Sequence, residues 1–115
     1  MANTFKQISK AGVTSSDVIY TVAGSTTTVV LGLIIGNTQS SSITVTLTIS
    51  TDTGSRSGAN NEDNQPVELL TSTTIPANSS LELLAGNKIV LETTDVINLT
   101  ASAAADISIS VMEIT

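Results

Sequence analysis

Oxygen ligands are the one chemical resource this chain concentrates. Residues 51–66 read TDTGSRSGANNEDNQP, and Asp52, Asn60, Asn61, Glu62, Asp63 and Asn64 supply the hard carboxylate and amide oxygens that suit a calcium ion. The EF-hand spacing is missing, with no bidentate glutamate at the required offset, so a solvated loop accounts for the run without a metal. The stretch is longer than a strand connection needs, which makes Asp52, Asn60, Glu62 and Asp63 candidates for contact with a protein partner. Arg56, in the same loop, is a candidate rim contact.

Catalysis finds less to work with. The chain has no histidine and no cysteine, so the usual general base, the thiolate nucleophile and the commonest metal ligands are all missing. Nineteen threonines and sixteen serines are present, but a hydroxyl nucleophile needs an adjacent base, and no lysine is placed to serve. A carboxylate pair could cleave a glycoside, yet Glu68, Glu82 and Glu92 fall outward on separate strands. Sugars also stack on aromatics, and Phe5 and Tyr20 are the only two. Asn78-Ser79-Ser80 and Asn98-Leu99-Thr100 match the glycosylation acceptor pattern, but no apolar leader precedes them. The sequence therefore predicts no catalytic residues, no metal site, no cofactor and no enzyme.

The elements that would position any site are strands. Ile43 to Ile49 alternate a branched apolar residue with threonine, and Ile107 to Val111 alternate apolar residues with serine. A period of two sends Ile43, Val45, Leu47 and Ile49 to one face and the threonines to the other. Seven or eight such runs recur about every ten residues with turn formers between them, and no helical periodicity intervenes. The predicted fold is all-β, an antiparallel β-sandwich of jelly-roll type over residues 17–115, preceded by an N-terminal arm over residues 1–16. Val29 to Ile35 is apolar throughout: Val29, Leu31, Leu33 and Ile35 are read on one face, Val30 and Ile34 on the other with Gly32 and Gly36. A strand apolar on both faces is buried twice, or sealed on one side by another subunit.

Composition narrows the partners. Charged residues are 12% of the chain, the formal net charge is −6, and the four basic residues are scattered. No basic stripe or aromatic platform exists for nucleic acid, and an anionic membrane surface is disfavoured for the same reason. The longest apolar run is too short to cross a bilayer. With no apolar leader, the expectation is a protein made in a cytoplasm that stays soluble until it assembles. Low charge and high β-propensity make strand edges prone to pairing, so the edges are read as covered by neighbours in an assembly, the alternative being short, twisted edges.

With the strands placed, the chain resembles a family of small virion proteins of tailed phages, common among cyanophages and other marine phages. The resemblance lies in Val18-Ile-Tyr-Thr-Val-Ala-Gly-Ser-Thr-Thr-Thr-Val-Val-Leu-Gly-Leu-Ile-Ile-Gly-Asn37, in Ile75-Pro-Ala-Asn-Ser-Ser-Leu-Glu-Leu-Leu-Ala-Gly-Asn-Lys-Ile-Val-Leu-Glu92, and in Asp95 through the Ala-rich turn to Met112-Glu-Ile-Thr115. These motifs are turns and strands rather than active-site residues. The resemblance implies a β-sandwich or jelly-roll subunit that coats a capsid or builds neck and tail structures, with no catalytic pattern to carry across. The 51–66 loop is where the chain departs most.

The functional expectation is a capsid decoration (cement) protein, located in the virion, that binds the major capsid protein as a homo-oligomer, with a trimer as the guess. The alternatives are a neck or tail component such as an adaptor or fibre-attachment ring subunit, and a host-glycan-binding module. The residues read as oligomer or partner contacts are Phe5 and Ile8 in the arm, Val30, Leu33, Ile34 and Ile35 in the apolar strand, and Arg56.

Overall fold

In a computed structural model, the described residues, 3–51, 65–83 and 88–115, form nine strands and no helix. They are β1 (Asn3–Val13), β2 (Asp17–Thr21), β3 (Thr27–Asn37), β4 (Ile43–Thr51), β5 (Gln65–Ile75), β6 (Ser80–Glu82), β7 (Ile89–Leu91), β8 (Val96–Ala101) and β9 (Ala105–Ile114). The first sheet runs β1-β9-β3 with β6 and β7 both beyond β3, and the second runs β2-β8-β4-β5. Every pairing is antiparallel. The chain changes sheet at each connection except β4 to β5 and β6 to β7, which is the strand order of a jelly roll. Because β6 pairs with Ile34–Gly36 and β7 with Thr28–Val30, the two share one position beside β3, and the nine strands fill eight places.

The core is aliphatic. Ile43, Val45, Leu47 and Ile49 all point inward and are buried, as the alternation predicts. Leu47 lies beside Leu99 and Ile49 beside Ile97, while Ile107, Ile109 and Val111 of β9 close the opposite wall. Each such side chain contributes roughly 1.5–3 kcal/mol when fully removed from water. Tyr20 is the one aromatic among the buried residues.

Asn37 fixes one end of the sandwich. Its buried amide Nδ2 donates to the carbonyls of Ser41, Ile75 and Pro76, each at 3.0 Å, and its Oδ1 accepts from the Gln39 amide at 2.8 Å. One side chain thus ties the β3–β4 turn to the end of β5. Such a residue satisfies backbone groups that would otherwise be buried without partners.

Two expectations need correction. Residues 3–13, read as an arm, form β1, in register with β9 from Asn3↔Ile114 to Lys10↔Ile107. Apolar periodicity is missing there because most of its side chains are exposed, Val13 being buried and Ile8 half-buried. The backbone ladder holds the strand, helped by ion pairs from Lys6 to Glu113 (3.0 Å) and Lys10 to Asp17 (2.9 Å). In β3 the faces also differ from a simple alternation. A bulge between Val30 and Gly32 inserts Leu31 against β9, so Val30, Leu33 and Ile35 face inward while Val29 and Ile34 face out. One extra residue reverses the sides of everything beyond it.

Candidate interaction surface

Register decides what the outer face of the first sheet displays. Lys6, Ile8 and Lys10 lie beside Val111, Ile109 and Ile107 on the inner side, so the intervening residues of β1 point outward. Phe5 then stands beside Met112, Met112 beside Val29, and Val29 beside Val90. This is an apolar row across all four strand positions. Phe5 is 71% exposed and Val90 60%, with Met112 and Val29 half-buried between them. Four adjacent strands at about 4.8 Å give a row roughly 14 Å long.

The neighbouring rows turn polar. Gln7, Ser110 and Gly32 come next, then Ser9, Ser108, Ile34 and Glu82, and finally Asp106, Gly36 and Ser80. The Ser108 hydroxyl takes hydrogen bonds from Gln7 Nε2 and Ser9 Oγ, both 3.1 Å. Ile34, 44% exposed, borders a shallow depression of about 440 Å³ shared with Ser9, Ala11, Gly36 and Asp106. Among the described strand residues of this face, the only charges are Glu82 and Asp106, both at the end away from Phe5. Along β9, Met112 and Asp106 are six residues apart, about 20 Å in extended chain.

Behind the row sits a polar clasp. Tyr20 of β2 donates its phenol proton to Glu113 Oε2 of β9 at 2.5 Å, and its oxygen lies 2.8 Å from Thr28 Oγ1 of β3. A phenol has one proton, so Thr28 is the donor of that second bond. Lys6 of β1 completes the group through Glu113 Oε1. Burial, reinforced by the hydrogen bond to Glu113, pushes the Tyr20 phenol up to about 12. The Tyr20 hydrogen bond, and then Lys6, hold the Glu113 carboxyl below its ordinary value. At neutral pH the clasp is one carboxylate with committed donors, and it joins four strands across both sheets.

The residues singled out from the sequence separate into three groups. Phe5 and Ile34 are exposed on the outer face, four positions apart along the register, from Met112 to Ser108 of β9. Val30 (1% exposed), Leu33 (2%) and Ile35 (0%) belong to the interior, where no second subunit reaches them, and Ile8 packs partly against that core. The bulge at Leu31 is the reason, because it brings Leu33 and Ile35 to the same side as Val30, toward the second sheet. Asp52, Arg56, Asn60, Glu62 and Asp63 lie outside the described residues. Among the described residues no cluster of three or more His, Cys, Asp or Glu could hold a metal ion. Sequence reading missed Val29, Met112 and Val90. One signal for them was present: β9 alternates Ser108 and Ser110 outward, then breaks the pattern with outward Met112 and Ile114.

No family model and no curated protein matches the chain. Among solved structures, a Bacillus endospore appendage, described as a disulfide-linked pilus, aligns with a TM-score of 0.49 and 14% identity, over 99% of this chain and 87% of that one. A likeness at that level carries nothing about function.

Proposed function

We propose that the protein is a structural, non-enzymatic subunit of a bacteriophage virion: a decoration protein that binds the assembled shell as an oligomer, with the major capsid protein as its partner. The observation that supports this best is the apolar row Phe5–Met112–Val29–Val90, whose two ends are exposed and whose middle is half-buried. A sheet face of this kind marks a surface that meets another protein. The resemblance of residues 17–115 to small tailed-phage virion proteins supports the choice of assembly. Mechanism would then be mass action. A subunit that binds only the finished shell stabilises it by about 2.7 kcal/mol per site at one hundred times Kd, and many copies add up.

Copy number tests the reading. Quantitative mass spectrometry of purified virions should give a ratio within a few-fold of the major capsid protein. A handful of copies per particle would overturn decoration in favour of a neck or tail ring, and absence from particles would overturn the virion reading altogether.

A further inference from the structure

We propose that β1 is an exchangeable strand: two copies of this chain trade residues 3–13 about a two-fold axis, each laying its β1 against β9 of the other. The edge of β9 is then an interaction surface whose partner is a second copy. The structure already shows how that partner fits. A second copy's residues 3–13 have the same sequence as the strand in place, and meet the edge in the register from Asn3↔Ile114 to Lys10↔Ile107. Reciprocal exchange keeps each of these contacts and only moves it between chains.

β1 is weakly tied to the body it covers. Of its eleven residues only Val13 is buried and Ile8 half-buried, whereas β3, of the same length, buries five. Its side-chain ties lie at the surface: Lys6 to Glu113, Lys10 to Asp17, and the Gly12 amide donating to Asp106 Oδ1 at 3.0 Å. Exposed ion pairs contribute little. The ladder to β9 is the main bond, and a ladder at a sheet edge opens locally more readily than one in the core. Once open, β9 presents a row of unpaired backbone groups, the state that recruits another strand.

The connection to β2 suits exchange. Gly12 has φ of +68° at the register shift between Lys10 and Val13, and glycine passes from that conformation to an extended one without steric penalty. Residues 14–16 then cross from the first sheet to the second. The Cα steps from Val13 to Asp17 reach at most about 14 Å, against a spacing of about 10 Å between packed sheets. Little slack remains for folding β1 back, and short hinges of this kind favour passing the strand to a neighbour. Within the described residues this is the one connection between β1 and the rest of the fold.

Because the chain has no cysteine, exchange can be made visible. Ser9 and Ser108 are register partners with hydroxyls 3.1 Å apart, and such neighbours can form a disulfide. Ser9→Cys and Ser108→Cys are therefore combined in one full-length chain, prepared in light- and heavy-isotope forms. Mixed while reduced at high concentration and then oxidised, they should give covalent dimers in which the 9–108 link joins a light chain to a heavy one. Oxidised first as a dilute monomer, the same variant should be locked by its internal disulfide and lose all exchange. Two measurements on the parent need no substitution. Amides of β1 should exchange hydrogen faster than those of β3 and β4, and the full chain should take up a labelled peptide of residues 3–13 but not its scrambled counterpart. Links that stay within one chain at every concentration, β1 amides as slow as those of β4, or no selective uptake of the peptide would each overturn the proposal. All of this uses the purified chain, so the virion reading is tested separately by copy number.

Discussion

Removing one hydroxyl, by Tyr20→Phe, should cost far more than its size implies. The phenol is 8% exposed, gives its proton to a carboxylate and accepts from Thr28, which is fully buried. A hydrogen bond to a charged group contributes about 1.5–3 kcal/mol, and the variant also strands the Thr28 hydroxyl. For a chain of this length the loss corresponds to a fall in Tm of roughly 5–10 °C. The direction of the pH dependence follows from the pKa. Folding raises the phenol from 10.0 to about 12, so its contribution is complete below pH 10 and is lost as pH climbs towards 12. That gap is worth about 3 kcal/mol. The parent and the variant should therefore differ most at neutral pH and converge in strong alkali. The chain has one tyrosine and no tryptophan, so near-ultraviolet phenolate absorbance of the folded protein reports Tyr20 alone. A phenol titrating near 10, or a variant as stable as its parent at pH 7, would refute the reasoning.

The other partner in the clasp behaves in the opposite sense. Folding lowers the Glu113 carboxyl below its ordinary value of 4.5, so its stabilisation is present above that pH and disappears as pH falls through the lower native value. Glu113→Gln should be less stable than the parent at pH 7, and the two denaturation midpoints should approach each other on acidification; a constant difference down to acid pH would count against the clasp. Asn37→Ala removes the amide that serves three carbonyls and the acceptor for Gln39. It should lower stability by about 2–4 kcal/mol in urea denaturation, and an unchanged midpoint would show that water replaces the amide without loss.

Where sequence reading succeeded, a single periodicity decided the matter. Ile43 to Ile49 has no exception to its alternation, and each apolar residue is where that alternation sends it. In β3 nearly every residue is apolar, so a period of two has no contrast to act on. The bulge at Leu31, which sets the sides, leaves no mark in a run reading Val-Val-Leu-Gly-Leu-Ile-Ile. β1 was illegible for the opposite reason: it is held through its backbone, and both of its faces are largely polar. The row on the outer face depends on the register between strands distant in sequence. Phe5, Met112, Val29 and Val90 share no local pattern, and only the pairing of β1, β9, β3 and β7 brings them together.

That register also answers how a hydroxyl-rich, weakly charged sandwich manages its edges. Neighbouring subunits were one solution, but the described edges carry their own. In β1 the extra residue lies between Lys10 and Val13, where Gly12 has φ of +68°, a conformation that suits glycine. The edge strand β2 holds an extra residue between Val18 and Tyr20. Against β4, the edge strand β5 is longer by one residue at each of two places, and Ser72 has φ of +43° there. At the remaining edge, β6 and β7 are three residues each. In all three long edges the inserted residue sits on the outer strand and not on its inner neighbour, which is where it disturbs an incoming strand most. Edge-to-edge pairing is thereby discouraged without a partner. What the edges leave open is the outer face of the first sheet, where Phe5, Met112, Val29 and Val90 stand at the end away from Glu82 and Asp106.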